Sequence, residues 1–130
     1  MTRYAKNTPV SVTQTRADIQ AVIARFNCTF DGFVNEPFRC IVCFRGWGRF
    51  VRFVVPIRTR IDPQIERELW RGVFAGIKGR LINVKDGVET FEEAFYAHLV
   101  TESGKRVYEE LKPKLKALPP GPGHNIEPVT

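Results

Sequence analysis

Between Pro37 and Ile61 the chain places six arginines, Arg39, Arg45, Arg49, Arg52, Arg58 and Arg60, and no aspartate or glutamate. Guanidinium groups pair with phosphate oxygens in a planar fork, and aromatic rings beside them can stack on bases. Phe38, Trp47 and Phe50 are interleaved with these arginines. The chemistry this segment can do is therefore recognition of phosphate or acidic groups. The candidate binding residues are Arg39, Arg45, Trp47, Arg49, Phe50, Arg52, Arg58 and Arg60. A solvated sheet face, with arginine stems covering apolar surface and discouraging edge pairing, is the competing reading of the same residues.

Other reactive side chains form no constellation. Cys40-x-x-Cys43 has the spacing of a metal or redox pair, but residues 39–44 read as a strand, where positions three apart point to opposite faces. Cys28 is the third cysteine; with no second Cys or Cys/His pair to complete a tetrahedral set, no metal and no cofactor is expected. His98 and His124 are the only histidines, neither with a nucleophile in a catalytic context, and Glu93 is accounted for by a capping box with Thr90. Gly46-x-Gly48 belongs to a turn rather than to a phosphate-cradling loop that opens a helix. The expectation is a non-enzyme.

The elements that must position the arginines follow from periodicity. Arg39 to Arg45 and Arg49 to Pro56 are rich in β-branched and aromatic residues and are separated by Gly46-Trp47-Gly48, a hairpin signature. If Trp47-Gly48 form a two-residue loop, Phe44 lies opposite Val51, Val42 opposite Phe53 and Cys40 opposite Val55, one apolar face. Ile41, Cys43, Arg45, Phe50, Arg52 and Val54 then share the other. A different loop length would exchange partners but still leave arginines on a strand face. Cys28 to Val34, interrupted by Asp31-Gly32, supplies a short or bulged third strand.

Before the strands, Thr15-x-x-Asp18 gives an N-cap-like start, and Ile19, Val22, Ile23 and Phe26 recur at helical spacing before Asn27 offers a stop, which predicts a helix over residues 16–26. After them, Asp62-Pro63 opens a long central helix carrying Ile65, Leu69, Trp70, Val73, Ile77 and Leu81, with Gly72 and Gly76 one turn apart and suited to close backbone packing. Thr90-x-x-Glu93 caps a third helix bearing Phe91, Phe95, Leu99 and Val100, and a short fourth runs from Lys105 past Leu111 until Pro113 kinks or ends it. The fold class is thus α+β: an N-terminal helix, a three-stranded antiparallel sheet with a tight Arg-rich hairpin, a long central helix and two shorter C-terminal helices. Residues 1–12 are expected to be a flexible lead-in, 13–118 a single domain, and 119–130, opening Pro-Pro-Gly-Pro-Gly, a disordered tail.

Composition agrees with a globular chain: 43% of its 130 residues are hydrophobic and 26% charged, enough for one core. No apolar run is long enough for a membrane span and no signal-like stretch follows Met1, so a cytoplasmic protein without membrane partners is expected. The net charge of +6 comes entirely from the arginine segment, since the fourteen remaining basic residues are balanced by fourteen acidic ones.

Two resemblances bear on function. From Arg16 to Asn83 the order helix, three strands, helix resembles the double-stranded-RNA-binding domain. That family grips phosphates with a basic cluster opening its second helix, whereas Asp62-Pro63-Gln64-Ile65-Glu66-Arg67-Glu68 is net acidic. Asn35-Glu36-Pro37 also lacks the family's Gly-Pro-x-His type signature, so membership is not expected. Most of the chain, through Arg3-Tyr4-Ala5-Lys6-Asn7-Thr8, Arg52-Phe53-Val54-Val55-Pro56, the helix around Trp70 and Ala97-His98-Leu99-Val100, is similar to small proteins of tailed phages and prophages. This resemblance implies a setting, the bacterial cytoplasm during phage growth, and carries no site residues with it. The functional expectation is a non-catalytic phage-type accessory protein that binds nucleic acid through the basic hairpin. The alternative is a protein that binds and modulates a host factor through an acidic surface on that partner.

Overall fold

The computed structural model describes residues 6–119, in the order α1 (Val12–Arg25), β1 (Thr29–Glu36), β2 (Arg39–Gly46), β3 (Arg49–Pro56), α2 (Pro63–Lys85), α3 (Phe91–Phe95), a 3₁₀ turn (Tyr96–His98) and α4 (Val107–Ala117). The expected α+β architecture is present. The proposed disordered tail, apart from Pro119, and the first five residues of the lead-in lie outside the described residues.

α1 begins four residues before the expected Arg16 because Ser11, not Thr15, is its cap: the Ser11 hydroxyl accepts from the Gln14 N–H at 3.0 Å. Thr15 is instead fully buried, its Oγ1 3.5 Å from Nη1 of Arg71. The segment just before α1 is held against α2. Thr8 is buried, the Asn7 N–H donates to the Glu68 carboxylate at 3.1 Å, and Gln64 Nε2 donates to the Thr8 carbonyl at 3.0 Å. α2 opens as its sequence predicts, with the Asp62 carboxylate accepting from the N–H groups of Gln64 and Ile65 and Pro63 at its first position.

The three strands form one antiparallel sheet in the order β1-β2-β3. The register matches the two-residue loop: Phe44 opposes Val51, Val42 opposes Phe53 and Cys40 opposes Val55. Trp47 and Gly48 have φ of +49° and +72°, left-handed at both positions, as a type I′ hairpin turn requires. β1 is bulged between Phe30 and Gly32, where the sequence carries Asp31-Gly32. The inner face, with Cys40, Val42, Phe44, Val51 and Val55, packs in one core with Ile19, Val22 and Ile23 of α1, Trp70, Ile77 and Leu81 of α2, and Phe91 and Phe95 of α3.

Two expectations about the helices are corrected, and of the two outcomes expected at Pro113, ending the helix does not occur. The third helix stops at Phe95; Leu99 bridges to Val51, and the Val100 N–H donates to the Phe50 carbonyl at 2.9 Å. This pairing still buries Leu99 while covering part of the open edge of β3. Pro113 sits inside α4 instead of ending it, removing only the bond to the Glu109 carbonyl one turn back. The glycines of α2 admit no close backbone: a Cβ at Gly72 or Gly79 would meet nothing within 4 Å, and one at Gly76 only the Arg80 guanidinium.

Candidate nucleic-acid interface

The eight nominated residues do not form one patch. Gly46 pairs with Arg49 at one end of the hairpin and Arg39 with Pro56 at the other, and residues 39–46 span about 23 Å at ~3.3 Å per residue. Arg45, Trp47, Arg49 and Phe50 are brought together at the tip, where with Asn27 and Thr29 they line a hollow of about 380 Å³. Arg39, Arg58 and Arg60 are at the far end, where the Ile57 N–H bonds the Phe38 carbonyl at 2.8 Å. Arg52 lies between, opposite Cys43 on the outer face. Ile41 is buried on that face and Cys43 and Val54 are half-buried, so its open part is the tip end.

At the tip, the Trp47 ring stacks on Phe91, with centroids 5.1 Å apart and planes 20° from parallel, yet 60% of the residue remains exposed. Phe50 is 57% exposed, with the Arg45 guanidinium 5.9 Å from its ring centroid. The Trp47 ring is thus backed by Phe91, and much of the surface of both rings is wet, as a stacking platform requires. Gly46 permits this packing. A Cβ there would lie 2.7 Å from Cys28 Sγ and 3.3 Å from the Phe91 ring, so only glycine lets the turn settle against both.

The arginines are less free than their segment suggests. Arg45 Nε donates to Asp31 at 3.1 Å, Arg49 Nη2 to Glu92 at 3.0 Å, Arg39 is paired with Glu36, and Arg52 Nη1 donates to the Gly104 carbonyl at 3.0 Å. The three acids come from outside the acid-free window: Glu36 ends β1, Asp31 sits at its bulge and Glu92 is in the first turn of α3. These pairs are about half exposed, where such contacts are worth roughly 0–1 kcal/mol, so a phosphate can displace the carboxylates at small cost. Among the described residues Arg58 and Arg60 have no ion-pair partner.

Among the other reactive groups, burial governs Cys28 and His98. Cys40 faces the core and Cys43 the outer side, and no group of three or more His, Cys, Asp or Glu able to hold a metal occurs among the described residues. Burial pushes the Cys28 thiol up to about 11, so it is not a ready nucleophile. His98 is stacked on Phe53 at 4.3 Å; burial, helped by the charges of Arg80 and Arg106, pushes its pKa down to about 4 and keeps it neutral. Thr90 and Glu93 form the expected reciprocal capping box. His124 lies outside the described residues.

Sequence reasoning missed Asn27, Thr29 and Phe91 as parts of the tip. Asn27 carried a signal, since a helix-stopping Asn takes a left-handed conformation readily, and its φ is +63°. That Phe91 would lie behind Trp47 depends on a contact between residues far apart in the chain, for which local pattern holds no signal. Among the described residues no helix is long and apolar enough to cross a membrane. Comparison with known proteins returns no matching family model, no matching curated protein and no matching solved structure.

Proposed function

We propose that this chain is a non-catalytic accessory protein of phage type, acting in a bacterial cytoplasm, that binds single-stranded nucleic acid at the tip of its basic hairpin. The observation that carries the reading is the tip hollow, which two largely exposed rings, Trp47 and Phe50, line together with two arginines, Arg45 and Arg49. Rings of this kind stack on any base, and the flanking arginines reach the phosphates on either side. A base inside a duplex offers no free face to such rings, so a single strand is the better fit. The test is fluorescence anisotropy of labelled oligonucleotides, single-stranded and duplex, over a salt series. Tighter binding of the single strand, with log affinity falling linearly against log salt, is expected. Absence of binding to either form at low salt would remove the reading.

A second reading, binding and modulation of a host protein, is favoured by a different observation. Phe38 at the far end of the hairpin is 67% exposed, at the same end as Arg58 and Arg60, which have no ion-pair partner among the described residues, and aromatic and arginine side chains are enriched where protein partners dock. It predicts one dominant protein retained from host lysate after nuclease treatment and lost on Phe38→Ala.

A further inference from the structure

Behind the sheet, α1 and α2 enclose a second hollow of about 330 Å³ lined by Asp18, Arg25, Arg71, Phe74 and Lys78 among others. Asp18 meets Arg71 at 2.7 Å, and Arg25 and Lys78 lie about two turns further along their respective helices, so the helices run in the same direction with the hollow between them. Three cations face a single carboxylate there, and that carboxylate is already committed: Asp18 also accepts from Gln14 Nε2 at 2.8 Å. The Arg71 guanidinium lies over Phe74, 4.4 Å from its centroid, and the Lys78 ammonium lies 5.7 Å from the same ring. Arg25 and Lys78 have no carboxylate partner among the described residues.

This groove and the tip hollow are lined from neighbouring stretches of chain at the end of α1. Arg25 lines the groove while Asn27 and Thr29 line the tip hollow, and residues two apart are separated by no more than about 7 Å. Resting on the reading of the tip given above, we propose that the α1–α2 groove is the second section of one track, in which Arg25, Arg71 and Lys78 hold the phosphates of a single strand whose bases stack at Trp47 and Phe50. The path turns from the outer side of the sheet around the end of α1 to the helix layer. A flexible single strand follows it freely, whereas a duplex over so short a length resists bending.

The test uses labelled oligodeoxythymidylates of increasing length over a salt series, with the parent chain and the double variants Arg25→Gln/Lys78→Gln and Arg25→Glu/Lys78→Glu. Arg71 is left intact because it holds α1 to α2. For the parent, the slope of log affinity against log salt should steepen with length and then level off. On the longest strand the Gln variant should lose about 1.4 units of that slope, ~0.7 for each phosphate contact, and on the shortest it should match the parent. The Glu variant should lose more affinity; should it fail to melt cooperatively, the neutral Gln variant decides. A parent slope independent of length, or a folded Gln variant that keeps the parent slope on the longest strand, overturns the groove while leaving the tip reading standing. No binding of any length by the parent removes both.

Discussion

Gly46 shows how one residue at the turn serves both fold and site. With 2.7 Å between its Cβ position and Cys28 Sγ, Gly46→Ala should destabilise by about 1–3 kcal/mol through overpacking, seen as a lower denaturant midpoint, and Cys28→Ala should recover part of the loss. A Gly46→Ala variant as stable as the parent would mean the turn lifts freely away from Cys28. Phe50 is the opposite case. It is exposed, so Phe50→Ala should leave the melting temperature almost unchanged while weakening single-strand binding by about 1–3 kcal/mol with little change in salt slope. Equal affinity of parent and variant at every salt concentration would deny a base on that ring. The ring and its arginine neighbour were legible in the sequence, since a two-residue loop forces Arg45 opposite Phe50. The need for glycine at position 46 was not, because Cys28 and Phe91 approach it only in the folded chain.

At the scale of elements, the strip between β3 and the 3₁₀ turn is sensitive to acid. His98 lies against Phe53, whose ring also has the Arg80 guanidinium 5.4 Å from its centroid, and Arg106, itself paired with Glu109, is 3.5 Å from Nδ1 of His98. Because the folded pKa is depressed from 6.5 to about 4, the unfolded chain binds the proton more readily. The contribution of neutral His98 is complete above pH 6.5, is lost progressively as pH falls toward 4, and changes no further below that. Thermal melts should therefore decline across this window in the parent and be flatter in His98→Phe, while the loss from Asp18, whose pKa is lowered chiefly by its hydrogen bond to Arg71, follows at lower pH in both. Identical profiles for the two proteins would show that His98 is not the responsive group. This strip was hidden from sequence reasoning because Phe91, Phe95 and Leu99 recur every four residues and read as one helix. Leu99 reaches the core equally well by pairing with β3, a choice that periodicity cannot make. Likewise Ser11 and Thr15 both suit a helix start, and only the burial of Thr15 shows which one caps.

For the whole molecule, the net charge of +6 describes the chain better than it describes any surface. The acid-free window is a property of sequence order; folding returns Glu36, Asp31 and Glu92 to it and divides its arginines between two ends of the sheet. The tip reading makes the two ends unequal. Arg45→Glu/Arg52→Glu should weaken binding of a short single strand and reduce its salt slope, whereas Arg58→Glu/Arg60→Glu should leave both within error, since those residues are about 23 Å away. Both double variants alter exposed positions and should melt near the parent temperature. An equal effect from the two pairs would point to general attraction by the basic segment in place of a defined tip. The fold class, the hairpin and its register were readable because turn chemistry and alternation act locally. The division of the arginines followed only once the strand ends were placed apart.

The two tryptophans also give the chain a built-in pair of optical reporters. Trp70 is 1% exposed in the core and Trp47 is 60% exposed at the tip. Emission should consequently separate into a blue-shifted component shielded from iodide and a red-shifted component quenched by it. Unfolding would move the first, whereas a ligand seated over the hairpin turn would alter the second alone, so occupancy of the tip can be followed without a label and told apart from any change in folding within a single titration.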